Sequence, residues 1–144
     1  MNYWLFKCNP AKYDIDARLN DPEEKTTWRV TRYRKDVRAG DLAFIWRSGP
    51  NRRIVAVLKI ETDPHEMAEP ESERKYAINL PSGILYRVEG RFTHRFLDLS
   101  QEMLRKVPEL IGLCLFQGFQ QATNFRVTPQ EGQRILNLIE EKGT

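Results

Sequence analysis

The chain is 144 residues long, 40% hydrophobic and 30% charged, with a formal net charge of +3. That composition excludes a disordered chain, and no stretch approaches the roughly 20 apolar residues that cross a bilayer. Cys8, His65, His94 and Cys114 are scattered along the chain without the paired spacing of a structural zinc site, and the two cysteines read as reduced thiols in a cytoplasmic protein.

The opening "MNYWLFKCNP" sets its apolar residues before its lysine, unlike a secretory leader, and its aromatic run predicts a strand over Tyr3–Cys8. A helical turn or two is expected across Ile15–Leu19, broken by Asn20, Asp21 and Pro22. "TTWRVTRYR" has strand-like composition without clean alternation, so a strand or an extended loop fits it. Gly40 and Asp41 turn into a strand Leu42–Arg47, "RSGPNRR" turns again, and "IVAVLKIET" is a second strand of the same hairpin.

"DPHEMAEPESERK" is acidic and broken by proline, which predicts a surface excursion with at most one helical turn. "ILYRVEGRF" alternates, with Ile84, Tyr86, Val88 and Phe92 on one face and Arg87, Glu89 and Arg91 on the other. Ser100 caps a helix through Met103 and Leu104 that Pro108 ends, and "LCLF" reads as a short strand. "TPQEGQRILNLIEEK" starts with Thr128 as N-cap, Pro129 at the first helical position and Glu131 at the third, a capping box; Ile135, Leu138 and Ile139 form the apolar stripe. About six strands with short helices and no βαβ rhythm predict one α+β domain over residues 1–144: mostly antiparallel, strongly curved strands and a C-terminal helix.

Charge is unevenly spread. From Lys25 to Arg53 nine basic residues stand against two acidic ones, whereas Glu61–Lys75 carries six acidic residues against two basic ones. The first segment attracts polyanions and the second repels them. No nucleophile turn surrounds either cysteine, and "GPNRR" and "QGFQQ" lack the phosphate-loop pattern. No catalytic residue, cofactor or metal is therefore assigned.

The inventory suits a nucleic-acid base better. A base is a flat apolar ring with a polar edge, and its site needs aromatic walls, directed hydrogen-bond groups and cations for the phosphates. Trp4 lies among apolar neighbours and reads as core, whereas Trp28 sits among Thr26, Thr27, Arg29 and Thr31, a polar setting for a ligand-facing indole. Trp46 ends an apolar strand, which fits the core and a pocket wall equally. The loop from Gln117 to Asn124 fits solvated amides and a pocket wall equally.

Four blocks, "NYWLFKCNP", "TTWRVTRYRKDVRAGDLAFIWRSG", "RIVAVLKI" and "FQGFQQATNFRVTPQEGQRI", together resemble the EVE domain, a small domain of the PUA-like superfamily, over nearly the whole chain. The resemblance implies a PUA-like pseudo-barrel and a non-enzymatic reader of nucleic acid, DNA or RNA, with a pocket for one base, modified for example by methylation. Lys7, Cys8 and Asn9 followed by Trp28 are similar to the layout of the related YTH domains, with Cys8 in place of a serine. On this reading Lys7, Cys8, Asn9, Trp28, Trp46, Ser48, Gln117, Gly118, Thr123 and Asn124 form the base pocket. Arg29, Arg32, Arg34 and Arg47 hold flanking phosphates, and neither a membrane nor an identified partner nuclease is implied. A general RNA-binding module without modification specificity and a small hydrolase of modified nucleosides, using Lys7 and a carboxylate, stand as alternatives.

Overall fold

The computed structural model describes residues 1–81, 83–116 and 123–142. Tyr3–Cys8 forms β1 and Leu42–Arg47 forms β3, and the two run parallel with Tyr3 opposite Leu42 and Cys8 opposite Arg47. Parallel strands bury both faces, and the aromatic composition of β1 fits that demand. Tyr3 and Leu5 enter one apolar cluster while Trp4, Phe6 and Cys8 enter the other.

Around this pair the chain adds β2 (Lys25–Arg29), β4 (Arg53–Ile60), β5 (His65–Ala68), β6 (Ile84–His94), β7 (Leu99–Ser100) and β8 (Asn124–Val127). The pairing path is β2-β6-β4-β3-β1-β8, with β5 against β6 and β7 against β4. The sheet is therefore mixed, with one parallel pair among antiparallel ones, and its path is open rather than a closed barrel. A bulge between Ile45 and Trp46 and another between Val57 and Leu58 sharpen its curvature.

Helices follow local capping. α1 (Ile15–Asn20) begins where Asp14 accepts from Ala17 N, α2 (Glu71–Arg74) is a single turn, and α3 (Gln101–Arg105) begins where Ser100 Oγ accepts from Met103 N at 3.2 Å. α4 (Pro129–Lys142) carries the full capping box: Thr128 N donates to Glu131 Oε1 at 3.0 Å and Glu131 N to Thr128 Oγ1 at 3.2 Å. Ile135, Leu138 and Ile139 are buried against the Tyr3 side of the sheet. "LCLF" departs from its expected strand, because Cys114–Phe116 coils as a 3₁₀ turn whose Phe116 N bonds Leu113 O at 2.9 Å.

The Gly-Asp turn before β3 anchors the start of the sheet. Asp41 is buried and its carboxylate accepts from Trp4 Nε1, Arg38 N and Asn2 N, each at 2.9 Å. The acidic segment is the expected surface excursion with one helical turn, but one of its carboxylates is packed down. Glu73 of α2 is buried, paired with Arg18 at 3.1 Å, and accepts from Tyr13 Oη at 2.8 Å and Thr26 Oγ1 at 2.7 Å. Every carboxylate oxygen there has a partner, the condition under which a buried charge is tolerated.

Candidate functional site

Beside the end of β1, a cavity of about 170 Å³ opens to the surface where β2, β6 and the segments after β1 and before β6 meet. Trp28 of β2 lines it, half-buried, and Tyr13 meets the Trp28 ring edge-on with centroids 5.8 Å apart. Leu80 and Pro81 add apolar surface. Tyr13 is fixed by its bond to Glu73; burial first, and then that carboxylate, push its phenol above the usual range, so it stays a neutral donor.

The remaining walls are polar and mostly cationic. Lys7, Lys12, Arg29 and Arg87 line the cavity against one carboxylate, Glu69. Arg87 Nη1 stands 3.4 Å from Glu69 Oε2, with side chains only 5% and 13% exposed. Burial lowers the Arg87 pKa, opposed by Glu69 and reinforced by Arg29, which lies directly across the ladder; burial likewise raises Glu69. Asn9 Oδ1 accepts from Ala11 N at 2.9 Å, fixing the amide at the mouth. Burial pushes the Cys8 thiol up to about 12, with Arg47 partly opposing, so it lines the cavity as a neutral group and not as a thiolate nucleophile.

Of the residues expected at a base pocket, Lys7, Cys8, Asn9, Trp28 and Thr123 meet here, and Arg29 joins them. Trp46 does not: it is fully buried in the cluster on the other side of the sheet, among Phe44, Ile54 and Leu99. Ser48 Oγ bonds Cys8 O at 3.2 Å and Arg47 grips Asp16 through Nε at 3.2 Å and Nη2 at 2.9 Å, so both tie strand ends to their neighbours. Gly49 serves the turn itself, at φ +86. Asn124 is buried, its Oδ1 accepting from Thr31 N and Arg32 N and its Nδ2 donating to Arg32 O. Arg32 and Arg34 are exposed outside the cavity, lying over Tyr33 at 5.0 Å and Tyr86 at 4.2 Å respectively. Gln117 and Gly118 lie outside the described residues.

Tyr13, Lys12, Thr27, Glu69, Arg87 and the Leu80–Pro81 pair were not expected. Tyr13 carried a signal, an aromatic residue just after the Asn9–Pro10 turn. Glu69 and Arg87 carried none, because their meeting depends on β5 laying the acidic segment along β6.

The whole chain matches known proteins in kind. The model of the EVE domain matches residues 2–138. No curated protein sequence matches the chain. Among solved structures it is similar to a hypothetical protein from Leishmania major, at 20% identity over 100% of this chain and 98% of that one, with TM-score 0.70. A protein from Agrobacterium tumefaciens is similar at 19% identity over 96% and 92%, with TM-score 0.66. Human THYN1, solved in complex with 5-methylcytosine containing DNA, is similar at 15% identity over 96% and 97%, with TM-score 0.64. At these identities the likeness is one of fold.

Proposed function

The chain belongs to the EVE domain family, and from that premise we propose that it binds nucleic acid by holding one base, modified in its natural target, against Trp28 in the cavity beside β1. The observation that carries this reading is the coincidence, in one surface-open cavity, of a half-buried indole with four cationic side chains. A cavity of about 150 Å³ accommodates a benzene ring, so about 170 Å³ suits one flat ring. Stacking on an aromatic side chain contributes about 1–3 kcal/mol, comparable with the few kcal/mol needed to draw a base out of a duplex. The THYN1 complex with DNA supports the same reading for this fold.

Lys7, Lys12 and Arg29 stand where the flanking phosphates pass, and Arg32 and Arg34 extend the cationic surface beyond the mouth. A buried methyl group adds only about 0.8 kcal/mol, roughly four-fold in affinity.

The test is fluorescence anisotropy with matched oligonucleotides carrying cytosine or 5-methylcytosine, as DNA and as RNA, at two salt concentrations. Trp28→Ala is expected to lower affinity at least ten-fold with an unchanged melting curve. If that variant binds as tightly as the parent, while Arg32→Gln/Arg34→Gln loses affinity and flattens the salt dependence by about 2 in log–log slope, the protein is a general phosphate-binding module instead.

A further inference from the structure

Exposed apolar side chains gather at one edge of the cavity. Among the described residues six large hydrophobic side chains are exposed, and three of them, Ile78 at 61%, Leu80 at 37% and Ile84 at 68%, fall within seven positions of each other. Single exposures are ordinary, whereas a cluster beside a site marks a surface that another molecule covers. Leu80 and Pro81 line the cavity itself. Ile78 is held at the same edge, because its N and that of Asn79 donate to the carbonyl of Lys12, a lining residue, at 2.8 and 3.1 Å. Ile84 stands at the end of the β5–β6 ladder opposite Ala68, whose chain neighbour Glu69 also lines the cavity. Both sides of this edge are thus tied to the cavity wall, and its aliphatic groups are presented outward at little further cost in ordering.

The surroundings indicate what covers these groups. Lys12 and Arg29 line the same cavity and form no ion pair among the described residues, while Glu69, its one carboxylate, is engaged by Arg87. An apolar protein face would leave those cations without counter-charge. A nucleic-acid duplex supplies both complements, phosphates outside and an apolar stack of bases within. Drawing one base into the cavity leaves a gap in that stack, with two base faces open to water. Aliphatic side chains that enter such a gap cover both faces and oppose the return of the base.

We propose that Ile78, Leu80, Pro81 and Ile84 form an apolar wedge that enters the stack of a duplex as its base is drawn into the cavity, so that the target of this protein is double-stranded. This inference rests on the base-holding reading above and adds to it the form of the nucleic acid and the residues that replace the extracted base.

The experiment measures anisotropy of the full chain with one oligonucleotide carrying a central 5-methylcytosine, in the better-binding sugar, as a single strand and annealed to its complement. A third probe is the same duplex made abasic at that position. The variant is Ile78→Ser/Ile84→Ser, since both side chains are exposed and neither lines the cavity; its melting temperature is expected to match that of the parent. It is expected to lower affinity for the paired duplex about ten-fold or more and to leave single-strand affinity within about two-fold, because a single strand has no paired stack to enter. The same loss is expected on the abasic duplex, which Trp28→Ala binds like the parent because there is no base to hold.

If the isoleucine variant keeps the parent's duplex affinity, or loses as much on the single strand, while Trp28→Ala still weakens the base-bearing probes, base-holding stands and the wedge is overturned. A parent that binds the single strand and not the duplex has the same meaning. If Trp28→Ala binds every probe as the parent does, base-holding itself fails and the wedge with it. A parent that sediments as a dimer and a variant that sediments as a monomer, at unchanged duplex affinity, assign the patch to a second copy of the chain and also overturn the wedge.

Discussion

Trp28 and Trp46 show how the same side chain serves two purposes. Trp28 was legible because its flanking threonines and arginine make a polar setting for an indole, and the structure leaves it half-buried on a cavity. Trp46 was ambiguous because β3 is apolar on both faces; alternation carries Trp46 with Phe44 into one cluster while Ala43 and Ile45 enter the other. The distinction predicts opposite phenotypes. Trp46→Ala removes a fully buried side chain and should cost about 3–5 kcal/mol in denaturant unfolding, whereas Trp28→Ala should cost far less and act on binding. Equal losses of stability would contradict the placement of Trp28 at a cavity. Arg87 escaped sequence reading for a related reason. Alternation along "ILYRVEGRF" puts it opposite Val88 and hence in solvent, but β5 and Glu69 cover that side, while Ile84, expected inward, is 68% exposed. Cys8 gives a further check at this scale: with its thiol buried and raised to about 12, it should resist iodoacetamide at pH 8 in the native protein and react on unfolding, read by mass spectrometry.

The elements that were most legible carry their own start signals. α4 was readable because Thr128, Pro129 and Glu131 satisfy the helix N-terminus locally, without tertiary help. β1, β3 and β4 were readable from apolar runs, but the parallel pairing of β1 with β3 was not, since it joins residues some forty positions apart. β5 was missed because His65–Ala68 lacks strand composition and gains its ladder from β6 alone. "LCLF" misled in the opposite direction, an apolar tetrapeptide too short for periodicity to separate strand from turn. Within α4, Gly132 is the informative position. A Cβ there would lie 2.2 Å from the ring of Tyr3, which is itself stacked on Phe44 at 6.1 Å and buried. Helix propensity favours alanine over glycine by about 1 kcal/mol, yet the ring cannot withdraw, so Gly132→Ala should destabilise by about 1–3 kcal/mol. Thr128→Ala should cost about 1 kcal/mol through the cap alone. Thermal unfolding that shows Gly132→Ala to be stabilising would refute the close approach of α4 to β1.

At the scale of the molecule, the expectation of an α+β domain built on a mostly antiparallel, curved sheet matched, while the closed pseudo-barrel did not, because β2 and β8 end the pairing path without a ladder between them. What bridges them is a side chain. Asn124, the first residue of β8, accepts from Thr31 N at 3.1 Å and Arg32 N at 3.0 Å and donates to Arg32 O, just beyond the end of β2. Thr123 Oγ1 meets Thr31 Oγ1 at 2.9 Å, and Thr123 O accepts from Lys7 N at 2.7 Å. One buried amide thus imitates the ladder that a closed barrel would have, and it does so beside Lys7, Trp28 and Thr123, three residues of the cavity wall. The sequence could expose Asn124 as a candidate but not its purpose, since "ATNFRV" looks the same whether its amide faces a ligand or the backbone of a segment about ninety residues earlier. Asn124→Ala leaves the part-buried Thr31 and Arg32 amides without their acceptor and removes a buried side chain, for which about 1–3 kcal/mol in all is the expected cost. The expected result is a loss of stability in that range, faster hydrogen exchange at Thr31 and Arg32 relative to the amides of β3 and β4, and weaker oligonucleotide binding even where the chain is fully folded. Exchange at those two amides unchanged from the parent would mean that the sheet's edges are held together by something other than this side chain.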